Sequence, residues 1–157
     1  MNQETEALLL DVVSRLERAI QDRDCPAVAA LQGERTLVLF DYDYLRDEET
    51  AAAFEERAAV QGRELRTVRW VFAVPQVVVL ADEGLAARAA SNLPQRAGER
   101  EAIMWMSCDL RDGVDYGLVP YRRQPDGEPV FGAPEVFTAP VRPGERVPGM
   151  GLLRSLG

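Results

Sequence analysis

The chain has 157 residues, 46% of them apolar and 28% charged, with a formal net charge of −8. That is the balance of a globular protein of one-domain size and not of a disordered chain. The acidic excess works against nucleic-acid binding, which needs a basic face, and Arg122-Arg123 is the nearest approach to one.

Histidine and lysine are both absent. This removes Ser–His and Cys–His nucleophilic pairs, imidazole bases, histidine-ligated metals and Schiff-base lysines, leaving Asp, Glu, Tyr and Cys for proton chemistry. Cys25 and Cys108 form no CxxC pair, no secretory leader is read ahead of them, and no apolar run approaches the roughly 18 residues of a membrane span. A reducing cytoplasm, no membrane and no metal or other cofactor are the expectations.

In chain order, "ETEALLLDVVSRLERAIQDRD" carries Leu9, Val12, Val13, Leu16 and Ile20 at spacings of three and four, which predicts an amphipathic helix. "DCPAVAALQG" reads as a short second helix, with Asp24 as N-cap, Pro26 in the first turn and Gly33 at its end. From Arg35 to about Tyr44 the period becomes two, predicting a strand. Asp47 caps a third helix, "EETAAAFEERAAVQG", with Ala51, Phe54 and Ala58 facing inward and Gly62 stopping it.

Beyond Gly62 the chain reads as antiparallel β: "ELRTVRWVFAV", a bend at Pro75, "QVVVLA", a turn at Asp82-Glu83-Gly84, "LAARAASNL", "EAIMWMSCDL", a turn at Arg111-Asp112-Gly113, "YGLVPYRR", and an Asp126-Gly127 turn into "PVF". Seven of the ten prolines lie between Pro120 and Pro148. Residues 1–138 are accordingly read as one domain. Residues 139–157 are read as a Pro/Gly-rich docking tail whose Met150, Leu152, Leu153 and Leu156 cover the domain or a dimer partner.

The order of these elements points to an α+β fold, a cone-shaped curved antiparallel sheet wrapped around N-terminal helices. "LERAIQDRDCPAVAAL", "RTLVLFDYDYLRDEETAAAFEE" and "YRRQPDGEPVF" together resemble the NTF2-like superfamily, in particular its SnoaL-like polyketide cyclase branch, over roughly residues 6–137. The resemblance implies an apolar pocket at the wide end of the cone. Fold alone does not choose among the isomerases, cyclases, hydratases and non-catalytic binding modules of that superfamily. The Asp–Arg–Asp arrangement of its epoxide hydrolase-like members is not matched, since Ala90 and Asn92 stand in the relevant strand.

Candidate site residues follow from strand parity. Leu37, Leu39, Asp41 and Asp43 share one face, and Val38, Phe40, Tyr42 and Tyr44 the other. Two carboxylates about 6.5–7 Å apart beside an apolar pocket can divide into base and acid. The phenols of the other face can donate hydrogen bonds to a polar ligand. The competing reading ends the strand near Tyr42 and leaves Asp43 in a solvated loop.

Asp109 follows Trp105 and Ser107 on one face of "IMWMSCDL", as a pocket wall or as the first residue of a turn. Trp70 and Phe72, with Trp105, are candidates for an aromatic pocket floor or for the core. Arg69 is the candidate cation for an anionic ligand. The expected function is a cofactor-independent enzyme of isomerase, cyclase or hydratase type acting on an apolar small molecule. Asp41 is its base, Asp43 the partner, and Tyr42, Tyr44 or Asp109 the hydrogen-bond donor. The alternative is a non-catalytic ligand-binding or dimerisation module, with a homodimer expected in either case.

Overall fold

A computed structural model describes residues 1–81, 84–89, 95–137 and 147–157. The helix α1 (Gln3–Gln21) starts where the Asn2 side chain accepts from Thr5 N–H at 2.8 Å, and Glu4 and Glu6 sit at its positive end. Leu8, Leu9, Val12, Val13, Leu16 and Ile20 are its buried stripe.

The segment expected as a second helix is instead a strand, β1 (Ala27–Gln32). It runs centrally between β2 (Thr36–Asp41) and β3 (Arg69–Ala81). Ala27, Val28, Ala29, Ala30 and Leu31 are all fully buried, because both faces of this strand are covered. Such a strand is an unbroken apolar run, and its lack of alternation removes the signal that separates strand from short helix.

β2 stops at Asp41, short of the expected Tyr44. Asp41 Oδ1 accepts from the Asp43 backbone N–H at 2.9 Å, turning the chain with its own side chain. The parity assigned to residues 42–44 therefore fails. Tyr42 is exposed, while Tyr44 comes round to the face of Leu37, Leu39 and Asp41 and is buried there.

The helix α2 (Glu48–Glu64) begins at the expected cap, with Asp47 accepting from Thr50 N–H at 2.7 Å. It does not stop at Gly62. The left-handed residue that ends it is Arg66, and Gly62 lies inside the helix, where an added Cβ would come 2.6 Å from the Leu156 side chain.

β3 continues through Pro75 as one strand, so the proline expected at a bend between two strands sits within a central ladder. On one side it pairs continuously with β5 (Glu99–Asp109), Pro75 opposite Ile103. On the other its partner changes from β1, last paired at Ala73, to β4 (Gly84–Ala89), first paired at Gln76. The missing N–H of proline falls in that gap.

β6 (Gly113–Arg123), β7 (Pro129–Phe131) and the two-residue β8 (Glu135–Val136) complete the sheet. The turn expected at Asp82-Glu83-Gly84, the end of "LAARAASNL" from Ala90 and the tail between Ala139 and Arg146 lie wholly or partly outside the described residues. The architecture is α+β, with a curled antiparallel half-barrel in the order β2-β1-β3-β5-β6-β7.

Helices lie on both faces of the sheet. α1 covers Val28, Ala30, Val71, Ala73, Ile103, Trp105 and Val119. α2 and the final helix α3 (Met150–Leu156) cover Ala27, Ala29, Leu31, Trp70, Phe72, Val74, Met106 and Cys108. Among the described residues no helix is long and apolar enough to cross a membrane, and both cysteines are free.

Candidate functional site

The residues expected to form one site are distributed over both faces of the sheet. Asp41, Tyr44, Trp70 and Phe72 belong to the α2 face, and Asp109, Arg69 and Trp105 to the α1 face. Register separates them further. Asp109 is level with Arg69, Gln32 and Thr36, whereas Asp41 lies five residues up β2 from Thr36 and three strands away from β5. These offsets amount to roughly 20 Å. The expected aromatic floor divides in the same way, with Trp70 and Phe72 in one core cluster and Trp105 in the other.

At the α1 face, Asp109 is a hub. Its Oδ2 accepts from Asn2 Nδ2 at 3.1 Å, Arg69 Nε at 3.1 Å and Thr5 Oγ1 at 3.4 Å, and its Oδ1 accepts from Arg111 N–H at 2.8 Å. The Arg111 N–H, then the Asn2 amide and the Arg69 guanidinium, hold its carboxyl down at about 2 against the opposing effect of burial. Arg69 is equally committed: besides Asp109 it donates to Gln32 Oε1 at 2.6 Å and pairs with Glu4. A carboxylate so far from neutral pH and a cation with all its corners occupied hold the start of α1 against the β5–β6 turn. Three of the five guanidinium N–H groups are used in this way, and the bonds serve the fold.

Asp41 and Asp43 meet through the backbone turn described above and share no cavity. The Asp41 Oδ2 atom is buried without a hydrogen bond, its nearest cation being Arg57 at 3.8 Å. Tyr42 stacks on Phe40 at the surface, ring centroids 6.5 Å apart.

Tyr44 leads to a residue that the sequence reading did not select. Its hydroxyl donates to Glu55 Oε2 at 2.6 Å, and Glu55 Oε1 accepts from the Gly151 backbone N–H at 2.8 Å. Glu55 is only 2% exposed. α3 has no side-chain cap of its own, so this carboxylate supplies the acceptor that its first turn lacks. The signal was present in the sequence: Glu55 stands four residues after Ala51 and four before Ala59, a charge on the apolar stripe of α2.

Between α2 and α3 runs a groove of about 710 Å³. α3 lies alongside α2 in the same direction, with Gly151 against Glu55 and Leu156 against Gly62. Ala52, Ala59, Val147 and Met150 provide its apolar wall, and Glu48 and Glu56 its acidic part. Arg63 and Arg154, with Ser155, form its basic end, and Glu48 and Arg63 are fifteen residues apart along α2. At 1.5 Å per residue the groove therefore extends about 22 Å. Neither Arg63 nor Arg154 has an ion-pair partner among the described residues, in contrast to Arg69.

The chemical capacity of the groove is to hold an apolar body beside a terminal anion. Among the described residues no group of three or more acidic or thiol side chains is placed to hold a metal ion. Comparison of the chain with protein-family models, with curated proteins and with solved structures finds no match.

Proposed function

We propose that the chain is a non-catalytic NTF2-like binding module whose α2–α3 groove takes a small amphiphilic anion. An apolar chain lies along Ala52, Ala59, Val147 and Met150, and a carboxylate is held by Arg63 and Arg154. The observation that carries this reading is the pair of exposed guanidinium groups, neither with an ion-pair partner among the described residues, at one end of a partly apolar groove.

Calorimetric titration with octanoate, octanol and octylammonium tests it. Octanoate is expected to bind best, and Arg63→Gln with Arg154→Gln to reduce its affinity at least tenfold, a floor set by the loss of either of the two charge-assisted contacts alone. Equal binding of the three probes, or no effect of the double variant, would refute it.

A second reading, a cofactor-independent isomerase, cyclase or hydratase in the cytoplasm, draws on the Tyr44–Glu55 pair at 2.6 Å, since Glu55 lines the groove. There Glu55 would face the substrate, and Tyr44, whose one O–H is given to Glu55, would hold it in position. Tyr44→Phe would then abolish turnover while preserving octanoate binding, whereas in a binding module it alters stability alone.

A further inference from the structure

We infer that two copies of the chain associate through the outer edge of β2, antiparallel and with the two-fold axis at Val38. β2 is the terminal strand of the sheet, and among the described residues no strand pairs with its outer side. Its sequence, "TLVLFD", has no proline, no lysine and no charge before Asp41, so it lacks the usual devices that keep an exposed edge from pairing. Leu37, Val38 and Leu39 are only partly buried, and Phe40 is 39% exposed.

A two-fold axis perpendicular to a sheet pairs residues of equal parity, so each side chain keeps its face. With Val38 opposite its own copy, Leu37 faces the second copy's Leu39 on the α2 side, and Thr36 faces its Phe40 on the α1 side. The same register sets Arg35 of each copy opposite Asp41 of the other. Arg35 is exposed and has no ion pair among the described residues; the Asp41 carboxylate, with Oδ1 held by the Asp43 N–H and Oδ2 buried, offers it opposite charge across the edge and not a free oxygen. The edge is thus self-complementary in charge, with two Arg35–Asp41 oppositions per dimer. A six-residue edge makes a small interface, so the dimer should form and dissociate with concentration in place of being permanent.

Two measurements on the full chain test this. Sedimentation velocity should show a monomer–dimer equilibrium that Arg35→Glu, an exposed substitution, moves to monomer with an unchanged far-ultraviolet spectrum. In Val38→Cys, the register brings the two new thiols onto Cα positions about 4.5–5.5 Å apart, within disulfide reach. Oxidation should therefore yield a covalent dimer well above that of the unsubstituted chain. A Leu39→Cys variant, offset from its own copy, should not cross-link to the same extent. A monomer at every concentration, a dimer indifferent to Arg35→Glu, or preferential cross-linking through position 39 would each overturn the inference.

Discussion

Two buried carboxylates, one on each face of the sheet, do the same mechanical work in different surroundings. Asp109 ties the start of α1 to the β5–β6 turn, and Glu55 ties the start of α3 to α2. Around Asp109 the half-buried cation is spent, Arg69 being shared among Asp109, Gln32 and Glu4, and the lining is wholly polar. Around Glu55 the carboxylate itself is satisfied, but the groove it borders keeps two arginines unpaired. A perturbed or buried acid is thus a poor marker of function on its own. An unspent charge beside an apolar wall is what distinguishes a place for a ligand from a rivet.

The largest effect should come from breaking the Glu55 clamp. Glu55→Ala removes the acceptor of the Tyr44 hydroxyl and of the Gly151 N–H, and is expected to lower unfolding free energy by about 2–4 kcal/mol. Chemical denaturation checks this. Loss of less than about 1 kcal/mol would mean that water replaces the carboxylate freely.

Next is Leu152→Ala. α3 has seven residues, too few to persist without packing, and Leu152 is its fully buried anchor. The change should cost about 2–4 kcal/mol. It should also expose the Arg154 peptide bond to trypsin.

Asp109→Asn sharpens the comparison through pH. The Asp109 carboxyl, ordinarily near 3.8, titrates at about 2 in the folded chain. Its ionised form therefore stabilises the fold above about pH 4, and that contribution fades as the pH falls through about 2. The variant should be less stable by about 1–3 kcal/mol at neutral pH. The gap should close towards pH 2, where Asp109 is itself becoming neutral. Some acid sensitivity should survive in the variant, because Glu99, bonded by Arg88 and by the Arg96 N–H, is likewise held down at about 2. An unchanged acid limb would contradict the hub.

The smallest effect on stability belongs to Arg63→Gln with Arg154→Gln, expected within about 0.5 kcal/mol of the parent. These side chains support binding and not the fold.

Legibility in the sequence followed the range of the interactions. α1 and α2 were readable because the signals are local: the Asp47 cap and the spacing of Leu9 to Ile20 act within a few residues, while the Asn2 cap emerged with the structure. β1 was misread because burial on both faces erases alternation; of the two readings of β2, the one ending it near Tyr42 with Asp43 in a solvated loop is correct, because the Asp41 side chain bonds its own chain. Glu55 was visible as a charge on an apolar stripe. The groove was not, because it exists only when the last residues return to α2, a contact spanning 96 positions between Glu55 and Gly151. Nothing in local spacing encodes that return. Parity within β3 and β5 was correct for each strand separately, but the opposition of Trp70 to Trp105 depends on register between strands.

The most direct measurement of the binding account is a backbone-amide NMR titration with octanoate. Shifts concentrated on Ala59 to Arg63 and Met150 to Ser155, lost in the Arg63→Gln and Arg154→Gln double variant, are the predicted result. Shifts centred instead on Asn2, Arg69 and Asp109, or no saturable shifts at all, would contradict it.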